Sequence, residues 1–456
     1  MRVLSFIAAL LCSAAVALHI PAAFAQQGPI KVGMSMPQTG GLGAGGQSAL
    51  LALRMWVEDV NAKGGLLGRK VELIAYDDQT NPALTPAIYT KLLDVDKVDL
   101  LIASYGTVPT APIMPLVKQR GLLLMGNFSF QVNAKVQHDM WFNNAPWNDA
   151  SSWSDGFIQA GQKLGAKTIA VLAADNDFAQ NLANGARVLA EKAGLKKVYD
   201  QNYPPTTTDF SSLIRGIRAA KPDMVFVMSY PNDSVAIVRA VNEIGVGDSV
   251  KIFGGGMVGL QFTPIMTNLG SSLNGIVNYN SYVPGIQYPG IEEFLKRYAA
   301  KAAEAKVDPL GFYLPPFNYA IGQMLEQAIT ATKSLDHKRL ADYLRKNEMK
   351  TMVGPIRYDK SGEWANPRVV QAQFRGVTDK NMEQFRQAGK QVVLYPPQYK
   401  TGDIVAPFGK ARGKKVPETE KQRGQSRAVF FDRCCHSTCC WKRCCSASCS
   451  APSTPR

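Results

Sequence analysis

The sequence predicts an α/β protein of two similar lobes, each with a parallel sheet covered by helices. Short apolar runs alternate with segments of helical periodicity, as in Lys31–Met36, Gln47–Ala62 and Lys70–Tyr76. The alternation starts again at Thr168. Polar and aromatic turns follow several apolar runs. Because parallel strands end at one edge of a sheet, we expect these turns to form a crevice where a small molecule binds.

The first 25 residues have the pattern of a secretory signal peptide. Arg2 gives a positive start, Val3–Leu18 is apolar, and Ala23–Ala25 is a small-x-small cleavage site. The apolar core is too short to span a membrane. A lipid anchor would require a small residue before Cys12, and the residue there is Leu11. We therefore predict an exported protein with residues 1–25 removed.

The net charge of +15 is concentrated at the carboxyl end of the chain. From Lys410 onward there are eleven Lys or Arg and three acidic residues, a net charge of +8. Basic residues before Lys410 are mixed with acidic ones along the helices. The charge therefore predicts no nucleic-acid partner.

Residues 408–456 are predicted to be a basic, cysteine-rich, disordered tail. Cys434-Cys435, Cys439-Cys440 and Cys444-Cys445 recur at five-residue intervals. No apolar pattern surrounds these pairs, so a disordered extension is preferred. Disulfides in an oxidising compartment and a metal site are the alternatives.

Val98–Val132 reads as strand, turn, helix, strand and turn. The apolar runs 98–103 and 122–125 predict the strands. Thr107 and Thr110 place hydroxyls where the helix begins. Those hydroxyls either cap the helix or, with its free N–H groups, receive a carboxylate.

Motifs of common enzymes and cofactor sites are absent from the sequence. The glycine-rich segment Pro37–Gly46 follows a strand but matches no phosphate-binding pattern, so we predict a loop near a small-ligand cleft and no nucleotide. Neither H-E-x-x-H nor G-x-S-x-G occurs. His138 lies in a polar stretch and is predicted to be exposed. We expect no catalysis, no cofactor and no metal site.

A crossover between the lobes is predicted at Met140–Trp153. Trp141, Trp147 and Trp153 recur around a polar segment. Each tryptophan can serve as a buried anchor, and Trp147 is also placed to contact a ligand at the edge of the cleft. Beyond it, further turns are predicted after strands of the second lobe, including Ala174–Phe178, Ser229–Asp233 and Gly254–Met257.

Several motifs together resemble one family. They are IKVGMSMPQTG, NAKGGLLGRKVELIAYDDQTNP, IASYGTVPTAP, YPND and VGPIRYDKSGEW, within residues 28–407. Their order resembles the periplasmic substrate-binding proteins of branched-chain amino acid and amide ABC transporters. The resemblance implies a type I periplasmic binding protein, with two Rossmann-like lobes joined by three crossovers near Asn143, Ser281 and Gly354. The lobes would comprise 28–143 with 281–354, and 144–280 with 355–407.

The resemblance also implies a ligand site between the lobes. The ligand-holding positions of the family match Tyr105, Gly106, Thr107, Thr110, Ser129, Phe130, Phe178 and Tyr230 in this sequence. The acidic residue that receives the ligand ammonium in amino-acid-binding members would fall at Gly256, next to Met257. Asp177 and Asp233 are either substitutes for that acid or ordinary turn residues.

The aromatic side chains at these positions and at Trp147 predict a carboxylate ligand with an apolar or aromatic body. An aromatic or branched apolar acid is favoured over a branched-chain amino acid or amide, because an ammonium group without an acidic partner is costly to bury. By resemblance we expect a monomeric periplasmic receptor that closes around its ligand and delivers it to ABC permease subunits. The alternative is a ligand-sensing protein of the same fold that binds a partner protein.

Overall fold

The first lobe is built on a five-stranded parallel sheet. The structure, a computed structural model, describes residues 28–413; the predicted signal peptide and residues 414–456 of the predicted tail lie outside the described residues. The first elements are β1 (Ile30–Met36), α1 (Gly43–Ala62), β2 (Val71–Asp77), α2 (Thr85–Asp94), β3 (Leu100–Tyr105), α3 (Thr107–Thr110), α4 (Met114–Gln119), β4 (Leu124–Asn127), α5 (Asn133–Val136) and β5 (Trp141–Asn144). The strand order is β2-β1-β3-β4-β5. All neighbours are parallel, so each strand delivers its carboxyl end to the same edge.

A second sheet of seven strands forms the core of the other lobe. Its elements are α6 (Ala150–Lys163), β6 (Thr168–Ala174), α7 (Asp177–Lys192), β7 (Lys196–Tyr203), α8 (Ser211–Ala220), β8 (Met224–Ser229), α9 (Pro231–Ile244), β9 (Ile252–Met257), α10 (Thr263–Leu269) and β10 (Val277–Asn280). With the later strands β13 (Val370–Phe374) and β14 (Gln391–Tyr395), the order is β14-β13-β10-β9-β8-β6-β7. The two late strands β13 and β14 add antiparallel pairs at one edge.

The rest of the chain returns to the first lobe and then re-enters the second. The elements are α11 (Ile291–Ala305), α12 (Pro315–Thr332), α13 (His337–Lys346), β11 (Met349–Thr351), β12 (Gly354–Ile356), β13 (Val370–Phe374), β14 (Gln391–Tyr395) and α14 (Phe408–Ala411). Helix α12 packs tightly on α1: a Cβ at Gly322 would lie 2.1 Å from the indole of Trp56. The predicted architecture of two α/β lobes with parallel-sheet cores is confirmed.

The third crossing between the lobes lies later than the predicted position at Gly354. The Tyr358 ring lies 5.0 Å from the ring of Phe142, and the Trp364 ring stacks on Phe317 at 6.0 Å. Both partners belong to the first lobe. Residues 355–364, predicted to lie in the second lobe, therefore pack on the first one. The chain joins the second sheet only at β13.

The fold also continues past the predicted start of the tail at residue 408. The Phe408 side chain is 3 % exposed, and its ring stacks on Phe253 at 5.2 Å. The Phe408 N–H donates to the Val250 carbonyl at 3.0 Å. Helix α14 is therefore part of the second lobe, because it covers an apolar edge of that lobe's core.

Three local predictions differ from the structure. Gly43–Gly46, predicted as loop, form the first turn of α1. Glycine is required at position 46, because a Cβ there would lie 1.8 Å from the Pro37 carbonyl oxygen. Gly254–Met257, predicted as a turn, is the second part of strand β9. His138 is 2 % exposed, and its Nε2 bonds the Leu122 carbonyl at 2.7 Å, so it is buried.

Within residues 28–413, no helix is both long and apolar enough to cross a membrane.

Candidate ligand-binding site

A cavity of about 320 Å³ lies between the two lobes. Its first-lobe lining is Gly41, Leu42, Thr80, Tyr105, Gly106, Thr107, Val108, Pro109, Phe128 and Tyr313. Its second-lobe lining is Asn176, Phe178, Pro205, Tyr230, Pro231, Asn232, Asp233 and Val258, with Trp147 from the first crossing. The volume is at the small end of the range of about 300–1,000 Å³ for small-molecule sites.

The turn after β3 shapes the first-lobe wall. Tyr105 ends the strand, and Gly106 adopts a φ of 99°, a backbone conformation that favours glycine. The turn directs the chain into α3 with Thr107 at its start. The Thr107 hydroxyl oxygen accepts the Phe130 N–H at 2.9 Å, which ties this turn to the turn after β4.

Thr110 and Ser129 lie behind the cavity wall and do not line the cavity. Both side chains are fully buried. The Thr110 hydroxyl donates to the Ser104 carbonyl at 3.0 Å, and the Ser129 hydroxyl bonds the Thr110 hydroxyl at 3.1 Å. We predicted that both residues contact a ligand. In the structure their hydroxyls instead connect the turn after β3 to the turn after β4, which is a structural role.

Six aromatic side chains line the cavity. Phe128 packs edge to face against Trp147 at 5.1 Å and against Tyr313 at 5.2 Å. The Trp147 indole N–H donates to the Ser129 carbonyl at 3.1 Å, which fixes the ring. Phe130 is fully buried behind Trp147 at 6.3 Å and does not line the cavity, contrary to its predicted role.

Much of the second-lobe wall comes from the N-terminal ends of α7 and α9, with their cap residues Asn176 and Tyr230. Asn176 caps α7 by accepting the Ala179 N–H at 3.1 Å, which brings Phe178 to the cavity. The Tyr230 hydroxyl donates to the Asn176 Oδ1 at 3.3 Å. The rings of Phe178 and Tyr230 lie 5.8 Å apart, so they form one continuous apolar surface.

Gly256 and Met257, both predicted to bind ligand, are core residues of β9. The Met257 side chain is fully buried, and its N–H donates to the Asn278 Oδ1 at 2.9 Å. A Cβ at Gly256 would lie 2.8 Å from the Met228 sulfur and 2.9 Å from the Val227 carbonyl oxygen. A carboxylate side chain has no room at position 256. The residue directly after the strand, Val258, lines the cavity instead.

Among the lining residues of the described chain, Asp233 is the only one with a charged side chain. The same lining contains no Lys, Arg or His. The Asp233 carboxylate accepts the Tyr203 hydroxyl at 3.2 Å and the Tyr230 N–H at 3.4 Å. Burial raises its pKa, although these bonds favour the charged form. Burial likewise raises the pKa of the tyrosine hydroxyls at 105, 230 and 313, which therefore stay neutral.

The structure thus brings together six of the predicted site residues, namely Tyr105, Gly106, Thr107, Trp147, Phe178 and Tyr230. It also places Asp233 in the lining, which the sequence left open as a substitute acid or a turn residue. Phe128 and Tyr313 were missed as site residues. Phe128 belongs to a polar and aromatic turn, which was a usable signal. Nothing in the sequence around Tyr313 indicates a site, because only the folded chain brings it there.

A buried carboxyl group connects the segments that join the lobes. Glu363 lies before the third crossing and accepts the Asn143 side-chain N–H at 2.7 Å and the Trp141 indole N–H at 3.2 Å. Burial raises the pKa of Glu363 to about 8, against the lowering effect of both bonds. The same Asn143 amide donates to the Ser129 carbonyl at 2.6 Å. This carbonyl also accepts the indole N–H of the lining residue Trp147, so the network reaches the cavity wall.

Among residues 28–413, no group of three or more His, Cys, Asp and Glu side chains is arranged to hold a metal ion.

The cavity lies between two lobes whose sheets have parallel cores. A family model described as periplasmic binding protein matches residues 29–378. The chain therefore belongs to this family, in its type I, branched-chain amino acid group, and the predicted resemblance is confirmed. The family is a class of solute-binding proteins rather than enzymes.

Individual relatives share low identity along most of the chain. A Leu/Ile/Val-binding protein homolog 7 from Brucella abortus (strain 2308) is 25 % identical over 395 residues, which covers 83 % of this chain and 94 % of the relative. A branched-chain amino acid transporter substrate-binding protein from Streptococcus pneumoniae, in complex with isoleucine, has a TM-score of 0.66 at 18 % identity, covering 81 % and 100 %. A solute-binding protein from R. palustris, in complex with 4-hydroxybenzoate, has a TM-score of 0.68 at 20 % identity, covering 83 % and 98 %.

Proposed function

We propose that this protein is the solute-binding receptor of an ABC importer and holds a small carboxylate ligand between its lobes. The observation that supports the proposal is the aromatic cavity, which receives residues from both lobes and from the first crossing. A ligand in such a cavity contacts both lobes at once. Its binding free energy then favours the form in which the lobes are together.

The lining favours a ligand with an apolar or aromatic body. The rings of Tyr105, Phe128, Trp147, Phe178 and Tyr230 offer apolar contact, and the neutral tyrosine hydroxyls offer hydrogen bonds to an acid group. Aromatic acids, branched apolar acids and branched-chain amino acids all fit this description. The neighbours crystallised with isoleucine and with 4-hydroxybenzoate carry ligands of these classes.

A thermal-shift screen with carboxylates, amino acids and amides tests the proposal. A ligand at one hundred times its dissociation constant adds about 2.7 kcal/mol to the free energy of unfolding, which is a measurable rise in Tm. Calorimetric titration of each hit then gives the affinity and the stoichiometry. A protein that no compound of these classes stabilises would contradict the proposal.

The proposed location is the periplasm, and the proposed partners are the permease subunits of the importer. Deleting the gene from its own strain should abolish high-affinity uptake of the ligand found in the screen. If uptake persists while ligand binding is intact, the protein is instead a sensor of the same fold, and its partner is a regulatory protein.

A further inference from the structure

The loop between α11 and α12 is bound by residues of the opposite lobe. Both helices pack on α1, so the loop belongs to the first lobe. Within it, the Asp308 Oδ2 accepts the Thr263 N–H at 2.8 Å, and the Asp308 Oδ1 accepts the Thr263 hydroxyl at 2.6 Å. Thr263 is the first residue of α10, which packs on α9 in the second lobe. The two hydrogen bonds therefore run from one lobe to the other.

Asp308 is fixed within the first lobe before it meets α10. The Leu310 N–H donates to the Asp308 Oδ1 at 3.0 Å, and the Tyr298 hydroxyl donates to the Asp308 carbonyl at 2.9 Å. On the other side, Phe262 precedes α10 and has no polar side chain with which to cap the helix. The first lobe thus supplies the acceptor for the first N–H of a helix in the second lobe.

A third hydrogen bond holds the same loop. The Arg386 guanidinium donates to the Pro309 carbonyl at 3.2 Å, and the segment around Arg386 packs beside α10 in the second lobe. We call Asp308, Pro309, Thr263 and Arg386 the interlobe clasp. None of these four residues is part of the cavity lining in the described chain. The clasp therefore joins the lobes without forming any part of the cavity wall.

We propose that the interlobe clasp exists only while the lobes are together, and that Asp308 is a positioning residue that sets how long a bound ligand is retained. The inference rests on the proposed function and adds a control on release that does not depend on ligand contacts. Asp308 and Thr263 belong to different lobes, and neither lies on a crossing, so separation of the lobes moves them apart. Hydrogen bonds to a carboxylate that form only in the closed state stabilise that state and slow its opening.

Thr263→Val tests the inference, because it removes the hydroxyl at nearly constant volume and keeps the N–H. With the ligand found in the screen, stopped-flow kinetics should show a dissociation rate raised about tenfold and an association rate nearly unchanged. The Tm of the ligand-free variant should equal that of the parent, since the clasp is open in that state. A lower ligand-free Tm with unchanged ligand kinetics would overturn the inference, because the bond would then be a permanent one.

Thr267→Val is the matched control. The Thr267 hydroxyl donates to the Thr263 carbonyl at 2.9 Å within α10, so the same group is lost from the same helix without breaking an interlobe bond. Its dissociation rate should equal that of the parent. An equal rise in both variants would show that α10 is merely loosened, which would contradict the role of the clasp.

Hydrogen exchange of the Thr263 amide decides the same question without a ligand. In the ligand-free protein this amide should exchange far faster than the amides of β8, because its acceptor lies on the other lobe. Protection as strong as that of β8 would overturn the inference. If no compound of the screen binds, the proposed function fails, and the exchange measurement still shows whether the clasp opens.

Discussion

Phe178 is a cavity-lining residue whose position is fixed by packing within the folded protein. Its ring is 9 % exposed and lies 6.3 Å from Phe130 of the opposite lobe and 5.8 Å from Tyr230 of its own lobe. The side chain is therefore held in place before any ligand arrives. Such preorganisation reduces the entropic cost of binding.

Replacing Phe178 by Ala should weaken ligand binding by about 10- to 100-fold, since a fully buried aromatic ring contributes about 1.5–3 kcal/mol. Calorimetry with the ligand found in the screen measures the loss. Val188→Ala, on the exposed face of the same helix, is the control and should bind normally. An unchanged affinity in Phe178→Ala would place the ligand elsewhere.

Gly256→Asp should lower Tm and should not create an ammonium site. The added side chain meets the Met228 sulfur and the Val227 carbonyl oxygen, and overpacking a core costs about 1–3 kcal/mol. Thermal unfolding measures the change. Gly28→Asp, where an added Cβ meets nothing within 4 Å, should leave Tm unchanged. A stable variant with raised affinity for amines would show that β9 can open.

At the scale of elements, sequence patterns predicted most strands and helices but misplaced those set by close packing. Gly43–Gly46 looked like loop because glycine disfavours helix, yet contact with Pro37 requires it there. Gly254–Met257 looked like a turn for the same reason, although pairing with β8 and β10 extends the strand. Tertiary contacts decided both segments, and a single sequence does not display them.

Glu363 links the elements around the first and third crossings, and it should make stability depend on pH. Its pKa in the folded protein is about 8, above the ordinary value of 4.5, so the folded state binds the proton more tightly than the unfolded state. This contribution is fully present below pH 4.5 and is lost as pH rises through about 8. Urea unfolding across this pH window should show stability falling, and Glu363→Gln should flatten the slope. Glu348→Gln, an exposed acid paired with Arg357, should retain the slope of the parent.

Helix α14 allows a truncation test. A chain that ends after Pro407 loses the Phe408 ring from its place against Phe253, so its unfolding free energy should fall by about 1.5–3 kcal/mol. A chain that ends after Gly413 keeps the helix and should match the full protein. Equal Tm values for both truncations would mean that α14 does not stabilise the second lobe.

At the scale of the whole molecule, three crossings join two sheets of unequal size. The repeated strand–helix alternation was enough to predict the two lobes and their order along the chain. It was not enough to locate the third crossing. Tyr358 and Trp364 belong to the first lobe only because Phe142 and Phe317 receive their rings. Likewise, Tyr313 joins the site from a segment far along the chain, and no local pattern marks it.

If closure accompanies binding, saturating ligand should reduce the radius of gyration measured by small-angle X-ray scattering. The reason is that a ligand contacting both lobes stabilises the compact arrangement. Phe178→Ala at the same ligand concentration should show a smaller reduction. An identical radius with and without ligand would mean that the lobes do not separate in solution.

Trp147 has a practical consequence. Its indole lies on the first crossing, 5.1 Å from Phe128 of one lobe and 4.6 Å from Trp153 of the other. Any swing of the lobes must alter the polarity and the quenching that this fluorophore experiences. If ligand binding moves the lobes, the protein carries an intrinsic optical reporter at its first crossing, and its emission spectrum would follow that movement in real time without a label.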